Sequence, residues 1–220
     1  MKLVSSIRPI AAAAALLAAG SSQASIQVFT DEASFLAALS GYIAATDSFD
    51  DLVPALSYTG PLGRSAGSIG YTASTAPDSP ILYGAGTPGD AWLSSNIASD
   101  FILFDGFSAP VYAVGAYVFG SDIAGDFSAT GLTAVRVTNA AAEQSTQFTF
   151  RAATSNYYGF LSDTPISLFE VKTFYGQRNI TWPTVDDLTL AAPVPEPGAW
   201  VLMALGLTAL ARARRRRAVA

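Results

Sequence analysis

The 220-residue chain has no cysteine and no histidine. Without thiols it can form neither disulfides nor thiolate metal sites, so its stability rests on packing and hydrogen bonding. Without imidazole it cannot build Ser-His-Asp chemistry, a histidine general base or a histidine-ligated zinc site. Charge is scarce too: Asp, Glu, Lys and Arg make up 13% of the residues. The positive share is confined. Lys2, Arg8, Arg212, Arg214, Arg215, Arg216 and Arg217, seven of the 12 basic residues, lie near the two ends. Residues 25–193 keep only Arg64, Arg136, Arg151, Lys172 and Arg178 against 16 acids, a formal net charge of −11. Such a surface does not suit nucleic acid; it suits solubility outside the cell and divalent cations.

Gly60–Gly63 and Gly84–Gly86 lack the strand–turn–helix setting of a phosphate loop. Gly63-Arg64-Ser65-Ala66-Gly67 has the Gly-x-Ser-x-Gly spacing, but a chain without histidine offers Ser65 no imidazole base. Asp122 and Asp126 flank a turn but lack the dense ligand spacing and terminal Glu of an EF-hand. A carboxylate-based glycan hydrolase or lyase stays open as an alternative.

The two ends are informative. Lys2 and Arg8 precede an apolar stretch from Ile10 to Ala19, and Ser22-Gln23-Ala24 puts small residues before a cut. This reads as a signal peptide over 1–24, cleaved between Ala24 and Ser25. At the other end Val194-Pro195-Glu196-Pro197 is followed by an apolar segment over 198–211 and then by Arg212, Arg214, Arg215, Arg216 and Arg217. As a helix that segment is roughly 21 Å long, short of the roughly 30 Å hydrocarbon core but able to span it if the arginines snorkel and the bilayer thins. The arginines hold the C-terminus in the cytoplasm.

This three-part tail, 194–220, resembles the PEP-CTERM sorting signal of Gram-negative bacteria. The resemblance implies recognition of Pro195, Glu196 and Pro197 by exosortase, a membrane-bound cysteine-dependent enzyme. It also implies a passing stay in the inner membrane, removal of the tail, and arrival at the cell surface or in the exopolysaccharide matrix. Signal peptidase handles the other end.

The exported region, 25–193, reads as one mainly β domain. A short strand, Ile26–Phe29, leads to a helix over Asp31–Leu39 with Thr30 as its cap and Gly41 as its stop. Strands are expected at Thr46–Leu52, Ser68–Ser74, Phe101–Phe104, Val111–Phe119, Thr133–Thr138, Gln144–Arg151, Ile166–Phe174 and Val185–Leu190, rich in β-branched and aromatic residues. Val135 and Val137 share one face against Arg136; Phe148 and Phe150 share one against Gln147 and Thr149. The arrangement predicts an antiparallel β-sandwich. Residues Ser57 to Asn96 are dense in Gly, Ser, Ala, Thr and Pro. They read as irregular surface chain with a couple of short strands, or as a loop region presenting Tyr58, Tyr71, Tyr83 and Trp92 to a glycan.

Two acidic pairs stand out, Asp50-Asp51 and Asp186-Asp187. The region resembles the jelly-roll domains of the carbohydrate-binding-module and galactose-binding-like group, where an early and a final acidic strand lie side by side around a structural calcium. That resemblance nominates Asp50 and Asp186 as calcium ligands, with Asp51 and Asp187 as alternates. The plainer reading has both pairs ending strands in solvent. Asn156–Phe160 followed by Pro165-Ile166 resembles a segment of PEP-CTERM ectodomains. Together these readings predict a non-enzymatic exported surface or matrix protein associated with exopolysaccharide in a biofilm, with a purely structural component as the further alternative.

Overall fold

A computed structural model describes residues 25–174 and 180–194. The signal peptide, Ala24, the motif residues Pro195, Glu196 and Pro197, the apolar segment 198–211 and Arg212, Arg214, Arg215, Arg216 and Arg217 lie outside the described residues. No helix among those described is long and apolar enough to cross a membrane.

Two antiparallel sheets form a sandwich. In chain order the elements are β1 (Ile26–Phe29), α1 (Glu32–Ala38), β2 (Tyr42–Asp47), β3 (Ser57–Thr59), β4 (Leu62–Ala66), β5 (Ile69–Ala76), β6 (Ile81–Thr87), β7 (Asp90–Ser95) and β8 (Phe101–Asp105). They continue as β9 (Ala113–Ser121), β10 (Leu132–Asn139), β11 (Gln144–Phe150), β12 (Tyr157–Ser162), β13 (Ile166–Phe174) and β14 (Trp182–Pro193). The larger sheet runs β1-β12-β9-β14-β7-β6-β3, with β2 also paired to β14; the smaller runs β11-β10-β13-β8-β5-β4. The sequence-predicted sandwich and its single short helix are both present.

The helix starts one residue later than expected, because Asp31 rather than Thr30 caps it. Its carboxylate accepts from the Ser34 amide at 2.8 Å, satisfying one of the unpaired amides of the first turn. The helix buries Phe35 against the larger sheet. Gly159 makes room for it: a Cβ there would run into the Phe35 ring.

Residues 57–96 are not irregular chain. They form β3 to β7 and contribute to both sheets. Small residues concealed this. In β6 (sequence ILYGAGT) a Cβ on Gly84 would collide with the Val53 carbonyl, so backbone contact takes the place of a side chain that would mark a strand.

Between the sheets runs an aromatic core. Phe104 lies 6.5 Å from Phe49, 5.9 Å from Tyr71 and 5.8 Å from Phe169, which in turn meets Phe160 at 6.2 Å. Each such phenylalanine contributes on the order of 2–3 kcal/mol through burial.

An ionic clamp closes one end of this core. Asp47 ends β2 in the larger sheet; Arg64 and Tyr71 are cross-strand partners on β4 and β5 of the smaller one. The Asp47 carboxylate receives Nε of Arg64 at 2.7 Å, its Nη2 at 2.7 Å and the Tyr71 hydroxyl at 2.6 Å, plus the Phe49 amide at 3.1 Å. Arg64 reaches on to Asp51 at 2.6 Å and lies over the Phe49 ring. Asp47 and Arg64 are both buried, with side chains 7% and 10% exposed. Burial by itself disfavours the Arg64 charge, but the two carboxylates outweigh it and hold the guanidinium protonated. Burial and the neighbouring Asp47 charge push the Tyr71 hydroxyl up, keeping it a donor. Arg64→Met should therefore cost about 3–5 kcal/mol in chemical denaturation, because Asp47 is left charged and unpaired inside. A loss below about 1 kcal/mol would mean that the clamp is not buried as described.

Candidate functional site

The acid pair of the last strand marks a break in the larger sheet. β14 pairs with β7 through Thr184 and Val185, and with β2 from Leu188 to Pro193. Asp186 and Asp187 fall in the gap, paired on that edge by neither. On the other edge Asp186 lies opposite Tyr117 of β9 and Thr189 opposite Gly115, so β14 carries one extra residue there. That is a β-bulge. Asp187 takes a left-handed backbone conformation, φ +49°, within it, one of the few that Asp tolerates.

Other acids gather around the bulge. Asp50, just beyond β2, accepts from the Ala91 amide at 3.3 Å. Asp90 starts β7 and accepts from the Trp92 indole at 3.2 Å. Glu32, in the first turn of α1, accepts from the Tyr117 hydroxyl at 2.8 Å. Burial, then the charges of Asp187, Asp90 and Asp50, push Asp186 up to about 7. Asp187 rises for the same reasons, burial first and then Glu32, Asp50 and Asp90. Tyr117 is pushed up to about 12 by burial and its bond to Glu32. Tyr157, buried and with its hydroxyl unpartnered, is raised by burial and by Glu32. The site is a proton-retaining acidic bulge where β2, β7, β9, β14 and α1 meet.

The structure thus brings Asp50, Asp186 and Asp187 into mutual influence, while Asp51 turns to Arg64. That ion pair, and above all the bond to Arg64, holds the Asp51 carboxyl below its ordinary range. The donors fit calcium in kind, being hard oxygens. They do not fit it in spacing: among the described residues no three acids close on one point. Glu32 and Asp90 escaped sequence reasoning because no local motif links them to the pairs.

The four nominated aromatics do not converge. Tyr71 is buried in the clamp and cannot face a glycan, which corrects that expectation. The Tyr58 hydroxyl receives the Val53 amide at 2.7 Å. Trp92 is half-buried, edge-on to Phe119 at 4.9 Å. Tyr83 alone of the four lines a described surface depression, of about 190 Å³, with Ser94, Ser95, Asn96, Asp122, Ile123 and Trp182.

Both ends of the domain are tied down. The Ser25 amide donates to Asp163 Oδ1 at 3.0 Å, and the Val194 amide donates to the Gly41 carbonyl at 3.2 Å. No curated protein and no solved structure matches the chain. Residues 193–217 match the family described as the PEP-CTERM protein-sorting motif, beginning at the last residue of β14. The chain carries a PEP-CTERM sorting motif directly behind its β-sandwich.

Proposed function

We propose that the chain is a non-enzymatic protein of the Gram-negative cell surface or extracellular matrix, whose sandwich contacts exopolysaccharide once the tail is gone. The motif makes it an exported protein, handled by exosortase and anchored at the membrane before cleavage. The observation that carries the reading is the junction. β14 is held by β9 up to Ala191 and by β2 up to Pro193, so a cut beyond Val194 removes no strand of the described domain. Cleavage after Ala24 would likewise turn the Ser25 nitrogen into an ammonium beside the Asp163 carboxylate. Contact with glycan is supported by the Tyr83–Trp182 depression, which mixes aromatic rings with hydroxyl and amide groups.

The runner-up, a carboxylate-dependent hydrolase or lyase, would draw on Asp186 and its neighbours, since two acids of separated proton affinity are what such chemistry needs. Against it, Asp50 and Asp186 are bonded to backbone amides, and the three described depressions lie elsewhere. Replacing Pro195, Glu196 and Pro197 with alanines should leave the protein in the membrane fraction, with an intact mass that still includes Arg217. Normal release of that variant would show that the motif is not the processing signal.

A calcium ion at the bulge belongs to the same proposal. It would relieve the repulsion among Asp50, Asp186 and Asp187, which must draw together to hold it. Without the ion, Asp186 keeps its proton to about pH 7 in the folded domain against about 4 in the unfolded chain. The stability tied to that proton is complete below about pH 4 and is lost as pH rises through 7. Thermal melts in chelator should therefore fall between pH 5 and pH 8, by about 2 kcal/mol after discounting for partial exposure. Asp186→Asn should flatten the slope. Calcium should raise the pH 8 melt of the unmutated domain and leave that of Asp186→Asn unchanged. A melt flat with pH would refute the proton, and one indifferent to calcium would refute the ion.

A further inference from the structure

The outer face of the smaller sheet, the sheet that does not carry the acidic bulge, holds a trough. β8, β13, β10 and β11 build it side by side. Their registers set Phe148, Ala134 and Lys172 in one row across three strands, and Phe150, Leu132 and Phe174 in the next. Ala134 is the low point, a methyl group between a phenyl ring and a lysine. The depression is about 300 Å³, lined by Phe101, Phe148, Phe174, Arg136, Glu170 and Lys172 among others, at the lower end of the roughly 300–1,000 Å³ of ligand sites.

Two features call for a ligand here. The first is exposed aromatic surface: Phe148 is 57% and Phe174 48% exposed, with Phe150 beside them at 68%. The alternation of β11 points its phenylalanines outward and leaves Ser145, Gln147 and Thr149 on the more sheltered side. A run of exposed rings on an edge strand invites aggregation unless something covers it.

The second is charge. Glu170 is engaged by Arg136, at 2.5 and 2.8 Å. The Lys172 ammonium sits 4.1 Å from the Phe101 centroid and 5.4 Å from that of Phe174, and among the described residues it makes no ion pair. Of the five cations in 25–193, Arg64 is buried in the clamp and Arg178 lies outside the described residues. Two of the other three line this trough, and Arg151 lies over the adjacent Phe150 ring at 5.3 Å. Among the described residues, the accessible positive charge of a domain with net −11 is thus collected on one aromatic face.

We infer that this trough binds an acidic polysaccharide, with a uronate carboxylate on Lys172 and apolar sugar faces against Phe148 and Phe174. The inference rests on the reading that the domain meets a glycan matrix, and it narrows that reading to acidic glycans and to this face. A polyuronate alternates carboxylates with the apolar faces of its rings, which is the pairing of cation and phenyl ring found here. A neutral glycan would leave the cation unanswered. A second copy meeting this one face to face would set Lys172 against Lys172 and leave it without a counter-charge.

The test uses processed protein recovered from cells expressing the full chain, titrated with polygalacturonate and with dextran of similar length. Polygalacturonate should bind, more weakly as salt is added, and dextran should not bind at the trough. Lys172→Gln and Phe148→Ala should each weaken polygalacturonate binding roughly tenfold with unchanged melting temperatures, while Gln27→Ala, exposed on the edge strand β1 of the other sheet, leaves it intact. Unchanged binding in both trough variants would overturn the inference; the glycan reading would survive if Tyr83→Ala abolished binding instead. Failure to bind either polymer would remove both. A dimer that dissociates on Lys172→Gln would give the face to a second copy and overturn the inference as well.

Discussion

One buried carboxylate, Asp47, ties the larger sheet to the smaller. It leaves β2 and meets Arg64 and Tyr71 from the opposite sheet. Buried ion pairs are weak sources of net stability but severe when broken, since the survivor stays charged in a poor solvent. The clamp therefore acts as a positional constraint. It fixes the end of β2, and β2 pairs with the second half of β14 from Leu188 onward. The break in β14, the turn carrying Asp50 and the strand that runs into the sorting motif all depend on where β2 is held.

The domain separates its charges. Acids gather at the bulge on the larger sheet, where burial and mutual repulsion keep a proton on Asp186. Accessible cations gather on the outer face of the smaller sheet, among exposed phenyl rings. The arginine cluster of the tail, within the matched sorting motif, is a third region of charge. Among the described residues, Lys172, Arg136 and Arg151 are the cations that lie outside the clamp.

How much of this was legible in the sequence depended on side-chain volume. β10, β11 and β13 announced themselves through Val, Phe and Ile alternation, and β13 was read to the residue. β6 and β7 did not, because the small residues Gly84, Ala85, Ser94 and Ser95 dilute the apolar signal of the buried Leu82 and Leu93. The Phe148–Phe150 face was visible, but not the side it lies on; hydrophobicity alone would have placed it inside. Of the acids, the jelly-roll resemblance set the two pairs side by side, and Asp50 does act on the charge of Asp186 and Asp187. Asp51 was drawn off by Arg64, 13 residues away, and Glu32 joined from the helix, neither of which a local motif can reveal.

The central claim is that the clamp holds β2, and through it the second half of β14. Native-state hydrogen exchange on Arg64→Lys, which keeps the charge but loses the planar fork, tests it most directly. The amides of β2 and of residues 188–192 should exchange faster together, while those of β10 and β13 keep their protection. Faster exchange confined to residues 48–53, with β2 and β14 unchanged, would show that the strand pairing stands without the clamp.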